Sequence, residues 1–285
     1  MIPFLHLGRL PIPTFGLMVA TGLLVAAYIL QADFNRRREH LDQYRPGKPK
    51  GPEGFLARLV RQSRGDEGFL IIGIAGIAGL IGAKLYHALQ DPQTWRTELV
   101  SRFGFAWFGG LLGGFFTLLA LAHLFRMPVL EFMDACAPAA AVGYAIGRIG
   151  CLLSGDGDYG IPTTLPWGMS FPNGTDPSPP HCVERGWPPD CRVHPTPIYE
   201  FLIWMLIGWI LWRIGKKGLN GEAPGKVFSA YLILTGVARF LMELIRINPR
   251  SFFGFFSNAQ TASLVSVVLG IILLLRMGRG EPRKA

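Results

Sequence analysis

Long apolar runs separated by short polar connections dominate this chain. Seven stand out, at 15–31, 69–90, 107–125, 129–154, 196–212, 227–245 and 260–275. Each approaches the roughly 20 residues that a helix needs to cross a hydrocarbon core. In lipid the backbone polar groups must be satisfied internally, which favours helices. The pattern predicts an all-α polytopic membrane protein with seven transmembrane helices, one transmembrane domain over 1–285. Two longer connections interrupt the series, a basic loop at 34–68 and a proline- and glycine-rich loop at 155–195.

Charge placement orients these helices. With the N-terminus outside, the inner connections carry 18 Lys and Arg against 6 in the outer ones. That bias follows the positive-inside rule and puts the C-terminus in the cytoplasm. The net charge of +9 therefore reflects topology and attraction to anionic membrane lipid. No basic stripe with interleaved aromatics suggests nucleic acid. Half the residues are hydrophobic, only 16% are charged and the mean hydropathy is +0.32, a combination rare in soluble domains. The opening residues lack the basic region, apolar run and cleavage site of a signal peptide, so the first span is expected to remain.

Small residues recur where helices would meet. Gly73, Gly76, Gly79 and Gly82 fall at every third position, Gly109–Gly110 and Gly113–Gly114 punctuate the third run, and Gly143 pairs with Gly147 in the fourth. Their first reading is close helix packing, with ligand access to the backbone at Gly109 and Gly110 as the second. The 34–68 loop, with a short amphipathic piece around 55–60, suits a clamp on lipid headgroups or a solvated linker. The 155–195 loop suits a cover over a membrane cavity or a plain connection. Its Cys182 and Cys191 either pair in an oxidising compartment or remain two thiols.

Polar residues inside the apolar runs carry the chemistry. Arg148 lies in the fourth run, where a fixed cation costs at least about 2.5–3.5 kcal/mol and therefore wants a cavity or an anion. Arg239, Glu243 and Arg246 share one helical face by spacing, i, i+4 and i+7. That arrangement reads either as a self-neutralising ion pair or as arginine held ready for a phosphate. Asp156 and Asp158 follow Arg148 in a Gly-rich turn, and His194 precedes Tyr199 and Glu200 at the start of the fifth run. Histidine moves protons near neutral pH, although an interfacial His also serves as an anchor. Gln260 opens the seventh run, as a donor to headgroup oxygens or as a polar helix start. No metal-ligand spacing or phosphate-cradling glycine loop is present, and nothing calls for a metal or cofactor.

Taken in order, Gly147-Arg148-x-Gly150, His194-Pro195-x-x-x-Tyr199-Glu200, Arg239-x-x-x-Glu243 and Ser257-x-x-Gln260 resemble bacterial prolipoprotein diacylglyceryl transferases. The segments at 12–18, 82–86 and 108–111 resemble that family as well, so the likeness runs over nearly the whole chain. The resemblance implies seven transmembrane helices with the N-terminus outside, in the bacterial cytoplasmic (inner) membrane. It implies transfer of the diacylglyceryl group of phosphatidylglycerol to the lipobox cysteine thiol of a prolipoprotein signal peptide, releasing glycerol phosphate. It also implies that Arg148 and Arg239 are functional and that Glu243 accompanies them.

Guanidinium forks suit that chemistry, because they bind phosphate oxygens bidentately and keep their proton. The expected catalytic set is Arg148, Arg239, Glu243, His194 and Asp156. The expected lipid-binding set is Arg148, Arg239, Arg246, Tyr199, Glu200, Gln260, Gly109 and Gly110. The chain departs from the family pattern in its polar lining. Phe108 replaces a histidine, Phe15 a tyrosine, Cys151 and Ser154 two asparagines, and Thr235 a tyrosine. The thiol base is thus open among His194, Asp156 and the field of the arginines. A paralogue with another acceptor and a non-catalytic phospholipid-binding or translocating protein are the competing readings. An anion transporter is weakened by the lack of internal repeats.

Overall fold

A computed structural model describes residues 2–8, 10–38, 58, 62–63, 65–90, 95–100, 106–217, 224–247 and 255–277. Most of the basic loop, with the amphipathic piece expected around 55–60, lies outside the described residues. The protein is helical apart from an N-terminal hairpin, β1 (Phe4–Leu7) and β2 (Leu10–Pro13), paired antiparallel with Phe4 opposite Pro13. The helices are α1 (Thr14–Arg36), α2 (Glu67–Gln90), α3 (Trp95–Val100), α4 (Trp107–Leu124), α5 (Val129–Ser154), α6 (Ser178–Glu184), α7 (Thr196–Lys217), α8 (Lys226–Met242) and α9 (Asn258–Met277). Five of them, α1, α2, α5, α7 and α9, are long and apolar enough to cross a membrane. The apolar helices α4 and α8 are shorter, at 18 and 17 residues. The chain is a multi-pass helical membrane protein.

Of the helix limits that differ from the apolar pattern, two bear on the charged residues. Helix α1 continues beyond residue 31 through Asp33 and Arg36 because those charges are neutralised locally. Asp33 is buried and paired with Arg36 and, at 2.6 Å, with Arg37. Helix α8 stops at Met242, with Glu243 as its C-cap, so Arg246 is not on that helix. Residue 246 instead forms a bridge with Gly160.

The chain divides into two compact units. One comprises 26–136 with 219–222, and α2 and α4 form its main helix pair. Glycines permit that contact. A Cβ at Gly109 would run into the Gly82 carbonyl and Tyr86, and one at Gly113 would lie 2.6 Å from the Ala78 carbonyl. In lipid such backbone proximity replaces the hydrophobic drive that associates helices in water. Phe34, Phe125 and Phe132 pack as an aromatic cluster in the same unit.

The other unit comprises 1–25, 137–218 and 223–285. Ala137, Ala141 and Ala145 form a stripe on α5 at i, i+4 and i+8, and Trp204, Ile207 and Leu211 of α7 fill against it. Helices α8 and α9 meet through Gly236 and Gly270, with Ser266 Oγ donating to the Leu232 carbonyl at 3.0 Å. The hairpin is tied in where the Ile2 amide donates to the Leu153 carbonyl at 3.1 Å.

The 155–195 connection folds into a small structure of its own. Cys182 and Cys191 form a disulfide, and with Tyr159, Phe171 and Val193 they make a buried core. Tyr159 stacks on Phe171 with ring centroids 5.0 Å apart. This core holds the residues after α5 in a defined place, and the site depends on it.

Candidate functional site, an arginine and carboxylate cluster

Three chain segments deliver charged groups to one point. Arg148 comes from the last turns of α5, Glu200 from the first turn of α7, and Arg239, Glu243 and Arg246 from the end of α8 and beyond. Asp158 comes from the turn after α5. Arg148 pairs with Asp158 and Glu200, and Arg246 also pairs with Asp158. Arg239 Nη1 donates to Glu200 Oε1 at 2.6 Å, and its Nη2 lies 3.2 Å from Glu243 Oε2. Arg246 lies 3.6 Å from Glu200 and 3.8 Å from Glu243. Glu200, 1% exposed, therefore touches all three guanidiniums.

Burial of so many ions needs this mutual pairing. Removing an ion from water costs several kcal/mol even after relaxation, and pairing with good geometry is what offsets it. The face of Tyr144 adds a cation–π contact, 5.8 Å from the Arg148 guanidinium carbon. Satisfaction is incomplete on the donor side. Arg148 Nε is buried without a hydrogen bond among the described residues, while Arg246 Nε and Nη1 have only the longer ion pairs to Glu243 and Glu200. Buried donors without a hydrogen bond are rare in folded proteins.

Asp158 and Asp156 separate sharply, although they are two residues apart. Gly155 and Gly157 both adopt positive φ, a region that side chains resist, and the turn they make reverses between the two acids. Pairing pins the turn, since the Thr175 and Asp176 amides donate to the Ser154 and Gly155 carbonyls. Asp158 thereby faces the arginines. Burial alone would raise its carboxyl, but Arg148 and then Arg246 hold it well below the usual carboxylate range. Asp156 turns to the Cys151 thiol instead, and burial followed by the Asp158 charge pushes its carboxyl up. Cys151, Asp156 and Asp158 bring ligand-type atoms within 4.8 Å of one another. The guanidiniums already on Asp158 make that group unsuited to a dication.

The other expected residues fall in different places. His194 Nδ1 lies 3.3 Å from the Tyr199 hydroxyl, which accepts from Trp167 Nε1 at 2.8 Å. These three form a chain beside the cluster, joined to it through the backbone, because the Gly160 amide donates to the His194 carbonyl. Gln260 forms a capping box at the start of α9, accepting from the Ser257 amide at 3.0 Å while Ser257 Oγ accepts from its own. Gly109 and Gly110 pack against α2. Sequence spacing had missed Asp158 as a partner of the arginines and Glu200 as their common anchor. Asp158 lies two residues from the expected Asp156, and Glu200 is itself in the expected lipid-binding set, but only the fold brings the two onto the arginines.

Guanidiniums and carboxylates clustered at the ends of apolar helices define a class, a multi-pass membrane protein with a buried ionic site. The particular family follows from comparison. A family described as prolipoprotein diacylglyceryl transferase matches residues 3–276. Relatives that bear the name phosphatidylglycerol–prolipoprotein diacylglyceryl transferase include the following three. That of Clostridium tetani is 29% identical, covering 94% of each chain. That of Mycobacteroides abscessus is 33% identical over 97% of this chain and 78% of its own. That of Cupriavidus metallidurans is 29% identical over 99% and 96%. The chain belongs to the prolipoprotein diacylglyceryl transferase family.

Proposed function

We propose that this protein transfers the diacylglyceryl group of phosphatidylglycerol to the lipobox cysteine of prolipoproteins, releasing glycerol phosphate. The observation that carries this reading is the convergence of Arg148, Arg239 and Arg246 around one buried carboxylate, Glu200, in a chain of this family.

In the reaction the cysteine sulfur attacks the glyceryl carbon that bears the phosphate. A carbon–sulfur bond forms as the carbon–oxygen bond breaks, and the electron pair leaves on the phosphate. The thiol proton is lost to a base, and glycerol phosphate departs as an anion. Charge therefore gathers on phosphate oxygens, where preset guanidiniums stabilise it without reorganising. Arg148 and Arg239 hold the phosphate, with Arg246 beside them. Glu200 and Glu243 position the guanidiniums. The thiol proton passes to His194 or Asp156, or to water where the arginine field lowers the thiol pKa. Tyr199 orients His194.

The whole chain acts as one transmembrane domain of seven helices, N-terminus outside and C-terminus in the cytoplasm, in the bacterial inner membrane. The 18 to 6 distribution of basic residues supports that orientation. So does the Cys182–Cys191 bridge, since disulfides persist on the oxidising side of a membrane.

The test is transfer in vitro with the purified protein, labelled phosphatidylglycerol and a lipobox peptide. Lipidated peptide and glycerol phosphate in equal amounts is the expected result. Glycerol phosphate alone would replace the peptide with another acceptor. Bound lipid with neither product would leave a lipid-binding protein.

A further inference from the structure

The cluster is electroneutral as it stands, with three guanidiniums against the carboxylates of Asp158, Glu200 and Glu243. A lipid phosphate arriving there adds a negative charge to a buried site whose positive charge is already matched. Repulsion at such distances in a poorly solvated site is large, so one carboxylate must withdraw or the anion binds weakly. The three are not equally free to withdraw. The Glu200 and Glu243 side chains are 1% and 2% exposed and project from helix ends, whereas Asp158 is 24% exposed and sits on a turn. The backbone of that turn is pinned by the Thr175 and Asp176 amides and by Thr196 Oγ, which donates to the Asp158 carbonyl, so the withdrawal is a rotation of the side chain alone.

Asp158 also has the geometry of the group it would make way for. One of its oxygens takes Arg148 and the other takes Arg246, so the carboxylate bridges two guanidiniums. Two oxygens of a phosphate bridge a pair of guanidiniums in the same manner. From this we infer that Asp158 is a tethered stand-in for the lipid phosphate, neutralising Arg148 and Arg246 in the empty site and swinging out when phosphate takes its place. This rests on the reading that the arginines hold a phosphate. The exchange keeps the buried charge balanced, and it sets affinity by competition. If the withdrawn state is about a tenth or less of the empty protein, apparent affinity is reduced about 10-fold or more.

The test uses the full-length protein in detergent, with glycerol phosphate as a chain-free competitor of transfer. Asp158→Asn removes the stand-in and should lower the inhibition constant about 10-fold. Glu243→Gln removes the same charge from the same cluster but leaves Asp158 bridging Arg148 and Arg246, and should lower the constant by clearly less than Asp158→Asn does. Equal gains in the two variants would reduce the effect to net charge and overturn the proposal. A weaker competitor in a folded Asp158→Asn protein would make Asp158 part of the scaffold and overturn it too. A second measurement needs no variant. Carbodiimide labelling of Asp158 in the unaltered protein, read by peptide mass, should rise several-fold with saturating glycerol phosphate, and protection would contradict withdrawal. Arg148→Ala and Arg239→Ala keep the two readings apart. If neither weakens glycerol phosphate, the phosphate site itself is misplaced, whatever Asp158 does.

Discussion

Glu200 Oε1 stands 2.6 Å from Arg239 Nη1, although the two residues are 39 positions apart and on different helices. Its other oxygen takes Arg148 and lies 3.6 Å from Arg246. One buried carboxylate thus fixes the separation of three guanidiniums. Glu200→Ala should destabilise the fold by about 3–5 kcal/mol, the usual result of stranding a buried charge. Glu200→Gln keeps the shape and should retain more of the thermal midpoint while losing most transfer. Scanning fluorimetry beside the transfer assay checks both.

Loss of a preset charge donor typically lowers turnover about 10²–10³-fold. Arg148→Ala should do so with membrane insertion intact, since removing an intramembrane charge does not disfavour insertion. Arg239→Lys should lose nearly as much, because a lysine cannot reach Glu200 and Glu243 with two separate donors as Arg239 does. Quantified transfer against immunodetected protein in membranes settles each case.

Asp156 should make stability depend on pH in a direction opposite to that of most carboxylates. Its pKa is raised above the ordinary 3.8 by burial, then by Asp158. The folded protein therefore binds that proton more tightly than the unfolded chain. Its contribution is full below 3.8 and declines as pH rises through the raised value. Asp156→Asn should raise the midpoint more at pH 7 than at pH 4. Equal shifts at both would refute the assignment.

The disulfide contributes through the small loop fold that places Asp158. Cys182→Ser with Cys191→Ser should lower stability by about 2–3 kcal/mol. Transfer should fall as well, since the Tyr159 and Phe171 core that carries the turn would loosen. A full-rate variant would show that the turn holds without the bridge.

Gly109→Leu should damage the fold rather than the chemistry. A side chain there meets the Gly82 carbonyl and Tyr86 of α2. Overpacking costs about 1–3 kcal/mol or more where the obstacle is backbone. The expected readout is reduced protein in the membrane, with the KM for phosphatidylglycerol unchanged in what remains.

The sequence alone determined where the long apolar helices lie, because apolar runs of membrane length have few other options for their backbone. The fourth run, 129–154, coincides with α5 (Val129–Ser154). It also determined that Arg148 and Arg239 need partners, since an isolated cation in lipid is too costly to leave unpaired. Tertiary structure decided which partners these are. Spacing put Glu243 and Arg246 on one face with Arg239, yet the helix ends at Met242 and Arg246 arrives from the segment beyond. Spacing offered Asp156 and Asp158 alike, and the glycine turn pinned by residues 175 and 176 turned only Asp158 toward the arginines. The physical reason is one of range. Hydrophobicity acts locally and repeats along the chain, so it can be read residue by residue. Ion pairing at a few ångströms depends on where distant segments are brought, and the packing of α5, α7, α8 and the 155–195 loop brings them.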